Sequence, residues 1–129
     1  MTKTKKSFKD FATKPKSNAG VKLTIPDTGG QWVKVLGIDS DVFREASINI
    51  IRSTKDNHDD AELTEMQIDN RAEENRIKLL TVCVVDWSFS EKCTDENIRL
   101  MIEDAPLIAS FIDNEVGDRA NFLGKLSKT

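Results

Sequence analysis

The chain has little with which to do chemistry. It holds a single histidine in 129 residues, His58. It has no GxGxxG phrase and no Walker loop, so no backbone cradle for a nucleotide phosphate is predicted. A Ser–His–acid set would have to use His58, which sits in the acidic stretch Asp56–Asp60 with no serine partner at plausible spacing. His58 beside Asp59 and Asp60 reads as an exposed loop, because three adjacent residues rarely converge on one ion. The pairs Glu73–Glu74 and Asp59–Asp60 are neighbours by adjacency only. On helix faces open to water their pKa values stay near normal. The chain is therefore read as a protein without catalytic, cofactor-binding or metal-binding residues, and not as an enzyme.

Cysteine is equally sparse. Cys83 and Cys93 are the only two, and their spacing fits no zinc or redox motif. Both are read as reduced, in a cytosolic setting, with Cys83 a small core residue and Cys93 a surface one. Long apolar runs are missing too. The longest, Val82–Val85, spans four residues, far short of a membrane span. Nothing at the start reads as a secretory leader.

What is there is charge. Charged residues make up 32% and hydrophobic residues 38%, a balance that implies much solvated helix surface, mobile ends, or both. The net charge of −3 and pI near 5.2 argue against nucleic acid as the main partner. The length fits one domain, large enough to fold without disulfide or metal staples.

The charge is unevenly placed. Met1–Gly20 carries six lysines against one acid, Asp10. It is read as a flexible basic arm, too poor in apolar residues to offset its ordering entropy. Phe8 and Phe11, three apart, leave open a short helix that docks on a neighbour. Residues 21–129 are read as one mainly helical domain.

That domain opens with a β-hairpin over 21–36. Val21, Leu23 and Ile25 alternate with Lys22 and Thr24, Pro26–Gly30 collects turn formers, and Val33 and Val35 share a face on the return strand. A lone hairpin is marginal in water, so one face must pack on helices or on another subunit. Trp32 is read as core or as a contact residue.

About four helices follow, giving an α+β fold around one core. The first begins at Asp39 or Ser40 as cap, carries Phe43, Ala46, Ile50 and Ile51 as its stripe, and ends near Lys55. The second runs from about Asp60 to Asp86. Its first half lies in the acidic stretch Asp56–Glu74, which holds eight acids against Arg71. Its second half, Ile77–Val85, is apolar all round and reads as a core helix or a buried strand, with helix preferred. That acidic stretch is a solubility face or meets a basic partner, such as the lysine arm of a second copy. Trp87–Ser90 is read as a connector whose aromatics close the core. The third helix is capped at Thr94, with Ile98, Met101 and Ile102 on its stripe. The fourth is capped by Asp104, with Pro106 in its first turn. Its repeat Ile108, Phe111, Ile112, Glu115, Val116, Arg119, Leu123 at three and four extends to a stop at Gly124, with Gly117 inside it.

Read in order, several phrases resemble a known family. They are Trp87, Thr94–Asn97–Ile98, Asp104–Ala105–Pro106–Leu107–Ile108, Phe111–Ile112, and Asp118–Arg119–Ala120–Asn121–Phe122–Leu123. Upstream, Trp32–Val33–Lys34–Val35–Leu36 and Arg44–Glu45–Ala46 fall in the same order. Together they look like the tail assembly chaperones of long-tailed, siphovirus-type phages, over about Val21–Lys125. The resemblance implies a small helical protein of the infected host's cytoplasm. Such a protein binds the tape measure protein, keeps its hydrophobic helices soluble and helps recruit tail tube protein. It is absent from the finished virion. Many members are also made in a longer form by ribosomal frameshifting, and Gly124–Lys125 is compatible with a slippery codon pair.

Residue chemistry adds that such a binder needs exposed apolar surface on a soluble scaffold. The interaction candidates are Trp32, Trp87, Phe89, Phe111, Phe122 and Leu123. The hairpin edge and the last helix are the candidates for self-association into a homo-oligomer. Two other functions stand beside this one: a tail completion or connector protein of the virion, and a small nucleic-acid-binding regulator using the lysine arm.

Overall fold

The structure is a computed structural model and describes residues 7–56 and 64–123. The His58 loop, the Asp60 start expected for the second long helix, and Gly124 and Lys125 lie outside the described residues. Five α-helices and three strands follow one another as α1 (Lys14–Ala19), β1 (Val21–Thr24), β2 (Trp32–Val35), α2 (Asp41–Asp56), α3 (Glu65–Cys83), β3 (Val84–Trp87), α4 (Asp95–Asp104) and α5 (Pro106–Val116). Short 3-10 turns occupy Phe8–Phe11 and Arg119–Phe122. The architecture is mainly helical with a small antiparallel sheet, the α+β class expected. No described helix is long and apolar enough to cross a membrane.

The hairpin forms as read. Val21 pairs with Val35 and Leu23 with Val33, so the alternation places Val33 and Val35 wholly inside. The turn uses positive φ at Asp27 (61°), Gly29 (70°) and Gly30 (90°), where glycine costs nothing and Asp is tolerated. Thr28 Oγ1 closes it by donating to Ile25 O at 2.7 Å.

The sheet, however, has a third strand. Helix α3 stops at Cys83, and Val84–Trp87 pairs with β2 in the order β1-β2-β3. The preferred helical reading through Val85 is corrected here. The tail of this apolar run is β-branched, and β2 offers it a ladder that a lone helix end cannot match. Val33 pairs with Trp87 but Val35 with Val84, a shift of one residue. Val84 and Trp87, three apart, would face opposite sides of a regular strand. The bulge lets both point inward, and both are buried. Val85, the residue passed over, is 45% exposed.

One core joins the sheet to α3, α4 and α5. It contains Ile77, Leu80 and Cys83 from α3, Ile98 and Ile102 from α4, and Ala109, Ile112 and Val116 from α5. Phe122 closes it at 1% exposure. Thr64 and Gln67 form a reciprocal capping box at the start of α3. Thr94 Oγ1 accepts from Asn97 N–H at 3.2 Å at the start of α4.

Two helix ends differ from expectation. Asp104 belongs to the last turn of α4, and Ala105, without a side-chain cap, precedes α5. Helix α5 does not run on to Leu123. It ends at Val116, with Gly117 as its cap and Asp118 capping the 3-10 turn behind it. The stripe continues in sequence because Phe122 is buried by that turn, not by a further helical turn.

The basic arm also ends earlier than expected. Helix α1 begins with Pro15 in its first turn and buries Ser17 to 1% exposure. Gly37 N–H donates to Ser17 O at 3.2 Å, and Asp41 N–H to Asn18 Oδ1 at 2.7 Å. Residues 14–19 are therefore part of the folded body.

Candidate interaction surface

The loop 37–40 after β2 is where distant parts of the chain meet. Gly37 is buried between Ser17 of α1 and Phe122. A Cβ built there would lie 2.3 Å from Ser17 Oγ and 3.2 Å from Phe122 Cδ1, so only glycine fits. Ile38 N–H reaches Val116 O at 3.4 Å. Asp39 receives a fork from Arg119, Nε to Oδ2 at 2.8 Å and Nη2 to Oδ1 at 2.9 Å. Thr13 Oγ1 donates to the same carboxylate. The Arg119 bonds, then the Thr13 bond, hold the Asp39 carboxyl below its ordinary value. Ser40, wholly buried, caps α2 by accepting from Phe43 N–H at 3.2 Å. Lys14 Nζ lies 3.0 Å from Asp41 Oδ1 in its first turn.

These ties hold open a groove of about 800 Å³ lined by Phe8, Phe11, Ile38 and Phe43, with Arg44 and Arg119 at its rim. Phe8 is 82% exposed and Phe11 60%. With Ile38 and Phe43 they form a contiguous apolar patch, the kind of surface that marks an interaction site. A second groove of about 680 Å³ separates α2 from α3 and is lined mainly by polar groups, among them Asn49, Asn70, Glu74 and Lys78. Helix α2 contributes no fully buried side chain among its described residues. Of its expected stripe, Phe43, Ala46 and Ile50 are half-buried, while Ile51 is exposed.

The candidates read from sequence divide. Trp87 and Phe122 lie in the core. They cannot contact a partner without unfolding, which corrects their assignment. Trp87 donates from Nε1 to Glu91 O at 2.7 Å and meets Phe89 edge to face, centroids 5.3 Å apart. Phe89, Phe111 and Leu123 are half-buried against that core or beside it. Trp32 is half-buried, and Lys22 Nζ sits over its ring at 4.3 Å, a cation–π cover over its open face. Helix α5, a candidate for self-association, spends Ala109, Ile112 and Val116 on the core, so that stripe is not available. Strand β1 remains an edge of the sheet.

Neither thiol is poised to react. Burial, then the charge of Asp113, pushes Cys83 up to about 12. Cys93, half-buried rather than on the open surface, is raised by burial and then by Asp86 and Asp95. Among the described residues no group of three or more His, Cys, Asp or Glu could hold a metal.

Phe8 and Phe11 stand out in the sequence, but nothing local shows that Ile38 and Phe43 face them. Asp39 and Arg119 lie 80 residues apart, and no local pattern joins them. In the structure, the Arg119–Phe122 phrase that carries the family resemblance serves the fold. Arg119 anchors loop 37–40, Asn121 Nδ2 donates to Glu115 O at 3.0 Å, and Phe122 fills the core. Comparison with family models, curated proteins and solved structures finds no match to this chain.

Proposed function

We propose that this chain is a tail assembly chaperone of a long-tailed phage, acting in the host cytoplasm. It holds apolar helices of the tape measure protein in soluble form, helps bring tail tube subunits to them, and leaves before the virion is complete. The order of phrases from Trp32 to Leu123 is what suggests this family. The observation that supports a binder of apolar helices is the open groove of Phe8, Phe11, Ile38 and Phe43 on a strongly charged body. An amphipathic helix laid in such a groove buries its own apolar face and those rings together.

The test is capture of tape measure fragments co-expressed with the chain. Phe8→Ser together with Phe11→Ser should weaken capture about tenfold, the loss of one or two aromatic anchors. Equal capture by the double variant removes the groove from the proposal. No capture by the unaltered chain removes the chaperone. A longer form made at Gly124–Lys125 belongs to the same reading. A −1 frame that stops directly after the Lys125 codon excludes it.

A further inference from the structure

We infer that α2 and the first half of α3 carry the two halves of a self-association interface, through which copies of this chain join head to tail. The proposal does not rest on the tape measure reading.

The two helices turn their groove-lining residues toward each other. From α2 these are Ala46, Asn49, Ile50 and Ser53, and from α3 they include Asn70, Glu74 and Lys78. On the far side of α2, helical spacing places Arg44, Ile48, Ile51 and Arg52 together. All four are exposed, Ile51 at 56% and Ile48 at 37%. On the far side of α3, the same spacing groups Glu65, Ile68, Asp69 and Ala72, again all exposed. Ile68 is 50% exposed. Each face thus has an apolar centre flanked by charge, one basic and one acidic. The α2 face also carries the acids Asp41, which is paired with Lys14, and Glu45 at its edge.

No ion pair seen among the described residues answers the charges of Arg44, Arg52, Glu65 and Asp69. The ion pairs seen among the described residues include those of Lys14, Arg76, Arg99 and Arg119. Arg44 and Arg52 take part in none of them, and neither do Glu65 and Asp69. The nearby acids that are paired, Glu73 to Arg76 and Glu74 to Arg99, lie off the Glu65–Ala72 face.

A second copy is the occupant that fits. Its acidic α3 face offers two carboxylates and an isoleucine to the two guanidiniums and two isoleucines of α2. The faces have similar lengths, about 10–12 Å at the helical rise. Because they point to opposite sides of the α2–α3 pair, a two-fold dimer cannot satisfy both at once. The contact is heterologous, and each copy leaves one face open for the next. It closes as a ring or continues as a short stack. The contact is small and its charges exposed, so association should be weak, dependent on concentration and weakened by salt.

The experiment is sedimentation velocity of the full chain over a wide concentration range, with two charge-reversed variants. One is Arg44→Glu with Arg52→Glu, the other Glu65→Lys with Asp69→Lys. All four positions are exposed, so each variant should keep the parent's circular dichroism and thermal midpoint. Each alone should associate at least about tenfold more weakly than the parent, because like charges then meet. Mixing the two should restore association, since the acidic α2 of one variant now meets the basic α3 of the other. A parent that stays monomeric at the highest concentration overturns the proposal. So does association that survives either reversal, or a mixture that behaves as the sum of its parts. Association abolished instead by Phe8→Ser and Phe11→Ser would move the interface to the other groove and likewise overturn it. Arg44 also borders the Phe8 groove, so capture of tape measure fragments is read with Arg52→Glu alone and with the α3 variant, which keeps loss of self-association and loss of client binding distinguishable.

Discussion

Replacing Gly37 by alanine tests whether α1 is docked on the domain or trails from it. The new methyl would lie 2.3 Å from Ser17 Oγ, 2.9 Å from Ser17 Cβ and 3.2 Å from Phe122 Cδ1. Carbon atoms settle about 3.5–4.0 Å apart, so either α1 or the Phe122 turn must give way. Overpacking of this kind costs about 1–3 kcal/mol. With two of the three contacts under 3.0 Å, about 2 kcal/mol or more is expected. Ser17 supplies the control. Its Oγ is buried without a hydrogen-bond partner among the described residues, and an unpaired buried hydroxyl costs about 1–3 kcal/mol. Ser17→Ala should therefore be neutral or stabilising. It also removes the closest of the three contacts, so Gly37→Ala should cost about 1 kcal/mol less in that background, a coupling typical of side chains in contact. The assay is urea unfolding of the four chains, read as a shift in midpoint at unchanged slope. A Gly37→Ala chain within about 0.5 kcal/mol of the parent, or the same cost in both backgrounds, would refute the docking of α1 on Gly37.

Three further outcomes follow from the same structure. Asp39 is held below its ordinary value of 3.8 by Arg119 and Thr13. Its contribution is full above about that pH and is lost as pH falls through the lowered value. Asp39→Asn should therefore lower the thermal midpoint at pH 7 and shrink the parent's loss of stability below pH 4, and parallel acid curves for the two chains would contradict this. Ile112→Ala, at a position with no exposure, should cost about 2–5 kcal/mol. Leu107→Ala on the same helix, where Leu107 is 76% exposed, should stay within about 0.5 kcal/mol. Similar losses in the two urea midpoints would contradict the burial of the Ile112 face of α5.

Period and punctuation made much of this fold legible. The period-two run Val21–Ile25, the turn formers Pro26–Gly30 and the Val33–Val35 face gave the hairpin and its register, because a one-residue slip would expose both valines. Thr94 and Pro106 marked helix starts because caps and first-turn prolines act within a few residues of themselves. Val84–Trp87 was ambiguous because a short apolar β-branched run suits a buried helix and a buried strand alike. The choice lay with β2, about fifty residues upstream, and with a bulge at Val85 that no local rule announces. Aromatic character alone does not tell whether Trp87 and Phe122 face a partner or the core, and both lie in the core.

By itself the sequence determined the class of the protein. Its α+β plan and its charged surface follow from residue type and local spacing, which act over a few residues. Tertiary structure decided the rest. It drew α1 into the body through Gly37, joined Asp39 to Arg119 and set Phe8 and Phe11 opposite Phe43. Among the described residues it also left Arg44 and Arg52 on the outer face of α2, and Glu65 and Asp69 on that of α3, without ion-pair partners. Each of these depends on pairs far apart in sequence, and their meeting is fixed only when the whole core closes.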